Sequence, residues 1–360
     1  MPKVSVILAV YNVAPYLHRS LDCLINQTLK DIEIICIDDC STDNSFEILK
    51  EYAKKDNRII IGKSPQNRGA AFVRNIGLKA AKGEYLGFID PDDAVDLNYF
   101  ETLYNSAKEK NVDVVKCGIK SVYPDGREEI GHLNDEIKEN NISYLFNYEW
   151  TTAIYKTDFI KENNITFPEE CKKAQDDVFL ARVIFKHALL EVIDGVFYYY
   201  YRREGSLDSS NIPLQSIKSA LISTGLVLKE INSSNLNKSQ PDLYIKLYNR
   251  RLCAIFRNLF QNDMYEAKCM CAEALVKYYF QCLDVEALKK EFSYKWLLKF
   301  IENKDVTKLA DFLLKYKNIN DLRKPLTRYQ KILSVRNSSD GEHKEFYFMG
   351  IKFLIKRKKK

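Results

Sequence analysis

No apolar run in this chain approaches the ~20 residues that a membrane-spanning helix needs, and no internal repeat is visible. Histidine is scarce: four residues, too few and too dispersed for an evident zinc site. Nine cysteines lie scattered without a repeated CxxC, Cys269-Met270-Cys271 being the one close pair. Reduced core thiols are therefore expected, rather than a disulfide framework. No Ser–His or Cys–His arrangement for nucleophilic catalysis is evident. Met1-Pro2-Lys3-Val4 runs straight into an apolar strand without a signal-peptide pattern, so the expected compartment is the cytoplasm. The body of the chain also lacks any charge excess. From Lys344 to Lys360 seven Lys/Arg face Glu345 alone, and the rest of the chain carries 48 charges of each sign. That balance argues against a nucleic-acid-binding face.

What is present is a soluble globular composition, 46% apolar and 29% charged over 360 residues, enough for about two domains. Strands alternate with helices from Val4 to about Arg203. Apolar runs at Val4–Val10, Ile32–Ile37, Ile59–Ile61, Tyr85–Ile89 and Val112–Lys116 are separated by helical patterns at Tyr16–Leu29, Ser45–Lys54, Ala70–Ala81 and Tyr99–Lys108. This order predicts an α/β fold with a mostly parallel sheet covered on both faces. Pro124-Asp125-Gly126-Arg127 reads as a turn between two short strands. From Leu214 to about Leu322 the spacing becomes helical, as in Leu243, Leu247, Leu252, Ile255, Phe256 and Leu259. The expected organisation is a nucleotide-binding catalytic region over 1–210, a helical C-terminal region over 211–322, and a linker with a basic tail over 323–360. Within that tail, Arg323–Lys344 reads as linker and Glu345–Ile355 as one aromatic-rich strand. The basic end suits an anionic membrane surface, or is a solvated terminus.

The most informative stretch is Tyr85-Leu86-Gly87-Phe88-Ile89-Asp90-Pro91-Asp92-Asp93, a short buried strand that stops at three carboxylates. Ligands of open α/β sheets sit at the carboxyl ends of strands, where these acids emerge. Three anions within four residues suit a hard divalent cation held with phosphate oxygens, or else form a solvated turn. Val10-Tyr11-Asn12 ends the first strand and Ile37-Asp38-Asp39-Cys40-Ser41 the second, at the same sheet edge. Polar groups there can read a flat base, a carboxylate accepting from a uracil N–H being the simplest contact. Helix capping by Ser41 or Asp43 is the plainer account. Arg74 on the third helix would approach a base or diphosphate, or is a surface or salt-bridged arginine, and Gly77 permits close packing of helix on sheet.

Taken in order, VSVILAVYN, IEIICIDDCSTDNS, NRGAAFVRNIGLKAAKGEYLGFIDPDD and QDDVF resemble bacterial family 2 glycosyltransferases of the GT-A fold, over residues 1 to about 206. The resemblance implies a Rossmann-like GT-A domain followed by a helical region. It also implies transfer of a sugar from a nucleotide-diphosphate donor, UDP-sugar favoured, to an acceptor hydroxyl with inversion. By position, Val10, Tyr11, Asn12, Asp38 and Asp39 would surround the base, with Arg74 beside the nucleotide. Asp90 would contact ribose or metal, Asp92 would ligate Mn²⁺ or Mg²⁺, and Asp93 would assist or cap a helix. The family's acid motif falls on Gln175-Asp176-Asp177-Val178-Phe179, which puts the catalytic base on Asp176, with Asp177 as the alternative. Gln175 stands where the family usually has Glu, Ala9 where it has Pro, and Cys40 where it has Gly. Tyr198–Ser206 resembles the segment that closes over the donor diphosphate, with Arg203 and Ser206 as contacts. An oligosaccharide or lipid-linked glycan of the bacterial surface, such as lipooligosaccharide or capsule, is the implied acceptor, reached by peripheral attachment to the membrane.

This inventory meets the chemistry. A hydroxyl is a poor nucleophile, so a carboxylate must take its proton, and the leaving diphosphate needs a cation. Two other classes fit single motifs. A haloacid-dehalogenase-type phosphohydrolase also carries Asp-x-Asp after a strand, but on its first core strand rather than the fourth. A phospho-receiver module shares the paired acids, but its ~120 residues leave most of this chain unexplained. A catalytically inactive nucleotide-sugar-binding protein would keep every motif, and a turnover assay separates it.

Overall fold

The computed structural model describes residues 1–131, 150–202, 214–260, 265–292, 298–314, 336–337, 343–348 and 351–356. The apolar runs become β1 (Val4–Val10), β2 (Ile32–Asp38), β3 (Ile59–Lys63) and β4 (Tyr85–Phe88), joined by α1 (Ala14–Ile25), α2 (Ser45–Lys55) and α3 (Ala70–Ala80). Every residue of β2 and β4 is buried, as continuous apolar runs require when helices cover both faces of a sheet. These four strands pair in parallel in the order β3-β2-β1-β4. Val10 lies opposite Asp38 and Ile7 opposite Phe88, so the acids that follow β2 and β4 emerge at one edge.

Beyond β4 the sheet becomes mixed. β5 (Ala94–Val95), α4 (Tyr99–Lys110), β6 (Val114–Val122), β7 (Glu128–Gly131), β8 (Ala153–Lys156), α5 (Thr157–Glu162), α6 (Gln175–Phe185) and β9 (Leu190–Tyr201) follow in the chain. β8 runs antiparallel to β4 and β6, whereas β9 runs parallel to β6 and antiparallel to β5. The strand read as Val112–Lys116 is β6 and extends to Val122. Its pairing with β9 continues after the apolar run has ended. The turn at 124–127 closes the β6–β7 hairpin, with Gly126 at φ +83°.

Alternation along β1 divides the core. Val4, Val6 and Leu8 pack with Leu17, Leu21 and Leu24 of α1. Ile7 faces the other layer, with Ala71, Val73 and Leu78 of α3. A Cβ on Gly77 would lie 2.5 Å from Ile7 Cγ2, so its absence sets how closely α3 approaches β1. The second layer holds an aromatic nest of Phe88, Trp150, Phe167 and Phe179, the last two stacked with centroids 4.3 Å apart. Phe179 thereby anchors α6 on β4, one turn after Asp176.

By contact the chain divides into two compact units, residues 1–251 with 282–291, and 252–281 with 292–360. The first unit also contains α7 (Leu214–Ser233), α8 (Leu236–Ser239), the start of α9 (Pro241–Phe260) and, following α10 (Tyr265–Phe280), α11 (Val285–Glu291). The second comprises the end of α9, then α10, α12 (Leu298–Glu302) and α13 (Val306–Leu314). It closes with an antiparallel sheet of β10 (Arg336–Asn337), β11 (His343–Phe348) and β12 (Ile351–Lys356). The aromatic stretch read as one strand is therefore two. Phe348 pairs with Ile351, and the apolar run continues through both strands, so hydropathy alone does not mark the reversal. β10 falls inside the stretch read as linker. Among the described residues no helix is long and apolar enough to cross a membrane.

Candidate active site

The loops after β1 and β2 lock together at the sheet edge. Val10 is buried and Tyr11 is exposed. Asn12, at φ +49°, accepts from the Thr42 N–H at 2.8 Å through Oδ1, and its own N–H donates to Ser41 Oγ at 3.0 Å. Asp43 accepts from the N–H groups of Ala14 and Ser45. Asp38 is fully buried. Its Oδ2 accepts from the Ser41 N–H at 3.1 Å, while Oδ1 has no partner among the described residues. Asp39 accepts from the N–H groups of Arg68 and Gly69, at 2.9 and 2.6 Å. The carboxylate after β2 thus fixes the entrance to α3. Cys40, where the family usually has glycine, adopts φ +62°, a left-handed conformation costly for a side chain with a Cβ.

The three carboxylates after β4 part company. Asp90-Pro91-Asp92-Asp93 forms a turn closed by the Asp93 N–H on the Asp90 carbonyl at 3.0 Å, with proline at its second position. Asp90 is half-exposed and binds Arg74 Nη2 at 2.8 Å. Asp92 is half-buried on the wall of a cleft of about 360 Å³ shared with Tyr16, Arg19, Tyr123, Tyr201 and Arg202. Asp93 turns inward instead. It accepts from Tyr198 Oη at 2.7 Å and from the Tyr201 N–H at 3.0 Å. Burial, reinforced by Asp90 and Asp92, pushes its carboxyl up to about 8.

Arg74 is 9% exposed and links this turn to α6. Beside its bond to Asp90, Nη1 donates to Gln175 Oε1 at 2.8 Å, with the amide oriented so that its nitrogen donates to the Cys171 carbonyl. The guanidinium lies over Trp150, 4.5 Å from the ring centroid. Of the two expected arginine roles, the salt-bridged one describes this conformation.

Asp176 and Asp177 differ in environment. Asp177 is ion-paired with Arg251 of α9 at 2.6 Å. No described side chain donates to Asp176. Burial, then the Asp177 charge, raises its pKa to about 6; Arg74 opposes the shift and Asp90 adds to it. The residue before α6, Ala174, is held at φ +57°, its carbonyl accepting from Ser223 Oγ of α7 at 2.5 Å. The helical region therefore buttresses the start of the acid motif.

The structure brings Asp90, Arg74, Gln175 and Asp176 into one connected group and sets Asp92 beside it. Arg203 and Ser206 lie outside the described residues. Sequence reading missed Arg19 and the inward partners Tyr198 and Tyr201. The tyrosine run was visible, whereas Arg19 carried no signal beyond its place on a helix.

Comparison with known proteins bears on the family and the fold. The model of Glycosyl transferase family 2 matches residues 5–174. The chain is 33% identical over 246 residues to the cholesterol galactosyltransferase of Borreliella burgdorferi, covering 63% of this chain and 68% of that protein. It is 31% identical over 245 residues to the poly(ribitol-phosphate) beta-glucosyltransferase of Bacillus spizizenii, covering 66% of this chain but only 38% of that longer protein. In fold, the crystal structure of Staphylococcus aureus TarS 1-349 in complex with UDP-GlcNAc superposes with a TM-score of 0.72 at 23% identity, covering 99% of each chain. Strand order, helical continuation and ordered motifs agree with these similarities: the chain has a GT-A fold and belongs to Glycosyl transferase family 2.

Proposed function

We propose that this transferase moves a sugar from a UDP-sugar to a hydroxyl of a cell-surface glycopolymer by single displacement with inversion. Asp176 acts as base, and a divalent cation, Mn²⁺ or Mg²⁺, binds at Asp92. The observation that carries the reading is the contrast between the two acids of α6. Asp177 is neutralised by Arg251, whereas Asp176 has no described side-chain donor and a raised affinity for protons. A carboxylate of that kind takes a proton from an acceptor hydroxyl as its oxygen attacks the anomeric carbon.

The donor set fits a cation completed by its substrate. Among the described residues no three His, Cys, Asp or Glu are grouped as a metal cage. Asp92 flanks an open cleft, the arrangement of a hard ion held by one or two carboxylates together with phosphate oxygens. When bound, the ion offsets the charge that develops on the departing diphosphate. Arg74 holds Asp90 beside α6, so the leaving-group side and the base side share one scaffold. Val10, Tyr11, Asn12, Asp38 and Asp39 form the base-binding edge in this reading, within a catalytic region spanning 1–210.

The neighbouring structures of TarS with UDP and with UDP-GlcNAc support a UDP-linked donor. The relative named for poly(ribitol-phosphate) supports a surface glycopolymer as acceptor. In this reading the enzyme works at the cytoplasmic face of the membrane, held there by its basic tail. The direct test is a panel of nucleotide sugars assayed with Mn²⁺ and with EDTA. Turnover of a UDP-sugar in Mn²⁺, abolished in Asp92→Ala at unchanged far-ultraviolet circular dichroism, is the expected result. A fully active Asp92→Ala protein refutes the metal assignment.

A further inference from the structure

Both peptide planes that flank the Cα of Asp92 are pinned from one helix. The Pro91 carbonyl lies 3.1 Å from Ser20 Oγ of α1, whose one proton it shares with the Leu17 carbonyl at the same distance. The Asp92 carbonyl accepts from Nη2 of Arg19, the preceding residue of the same helix. With the turn bond from the Asp93 N–H, these contacts fix φ and ψ at position 92 and leave only the side-chain torsions to the carboxylate. The guanidinium of Arg19 itself lies over the ring of Tyr201, its Cζ 3.5 Å from the centroid. Among the described residues its Nε–H is buried without a partner, so the stacking on Tyr201 and the bond from Nη2 are the contacts that place the head. The Tyr201 N–H in turn donates to Asp93, whose partner Tyr198 Oη accepts from the Asp90 N–H at 3.1 Å. The Asp90–Asp93 turn is thus gripped by α1 on one side and by β9 on the other.

We propose that Arg19 is a positioning residue for Asp92: stacked on Tyr201 and bonded to the Asp92 main chain, it aims the carboxylate that holds the cation. The proposal rests on the reading of Asp92 as metal ligand. A lysine can reach the carbonyl but cannot lie flat on the ring while doing so. Phenylalanine at 201 keeps the platform, whereas leucine removes it.

The test measures the Mn²⁺ concentration for half-maximal turnover, with kcat and melting temperature, in the full chain and in Arg19→Met, Arg19→Lys, Tyr201→Phe and Tyr201→Leu. Loss of an outer partner of a metal ligand costs about 10–100-fold in metal affinity or activity. Arg19→Met and Tyr201→Leu are expected to raise the Mn²⁺ requirement by that factor, with Arg19→Lys close behind and Tyr201→Phe matching the parent. If Arg19→Met does not fold, Arg19→Lys and the two Tyr201 variants decide the matter. An unchanged Mn²⁺ requirement in the folded variants overturns the proposal while leaving Asp92 as ligand. Weaker UDP binding in EDTA with an unshifted Mn²⁺ requirement also overturns it, in favour of direct contact with the nucleotide. Full turnover of the parent in EDTA overturns the Asp92 reading and this inference together.

Discussion

At residue scale the acids of the site are told apart by their neighbours. Asp176→Asn keeps the shape but cannot accept a proton, so kcat should fall on the order of 10²–10⁴-fold while UDP binding persists by calorimetry. Asp177→Asn should cost less, because it removes only the partner of Arg251. A larger loss there exchanges the two roles. The raised pKa of Asp176, about 6, gives a direction in pH. If Asp176 is the base proposed above, it is protonated and inactive at lower pH, so kcat/KM should fall towards tenfold per unit as pH drops, and residual activity of Asp176→Asn should lack this limb. Cys40 makes a separate prediction about stability. Glycine accepts φ +62° without the Cβ penalty, although it loses more backbone entropy on folding. Cys40→Gly should therefore stabilise the protein by about 0.5–1 kcal/mol, read as a higher urea midpoint at unchanged slope.

At the scale of elements, α3 shows how packing reaches the site. Gly77 lies one turn after Arg74, and Ile7 fills the space its side chain would need. Gly77→Ala should destabilise by about 1–3 kcal/mol through overpacking. By pushing the helix from β1 it should also shift Arg74 from Asp90 and Gln175 and lower kcat. Thermal melts and turnover of the same protein check both effects. This part was legible in the sequence because it is local: an apolar strand, a helical period and a glycine facing the sheet. So were the turn at 124–127 and the Asp-Pro-Asp stop after β4. The inward turn of Asp93 was not legible, since Tyr198 lies 105 residues away. The inequality of Asp176 and Asp177 rests on Arg251, 74 residues further on. Arg19 could not be read as a partner of Asp92, because a charged residue on an amphipathic helix usually marks a solvated face.

At the scale of the whole molecule, the charge sits at one end of an otherwise balanced chain. Arg357–Lys360 lie outside the described residues, and β12 ends just before them. Each Lys or Arg near an anionic bilayer contributes about 1 kcal/mol, so the tail should support reversible binding that weakens with salt. Deleting Lys356–Lys360 should abolish co-sedimentation with phosphatidylserine vesicles and leave turnover on a soluble acceptor unchanged. Equal sedimentation of both proteins removes the anchor. The grip of β9 on the Asp90–Asp93 turn has another consequence, for the order in which the enzyme is made. Asp39 meets Arg68 and Gly69 within 30 residues, so the sheet edge after β2 closes early in translation. Asp93 must wait for Tyr198, 105 residues behind it on the ribosome. At ~5–20 residues per second that is a delay of roughly 5–20 s. Throughout that interval the nascent chain carries three neighbouring aspartates with no tyrosine to bury the third, a window in which a chaperone or an early-bound cation has most to act on.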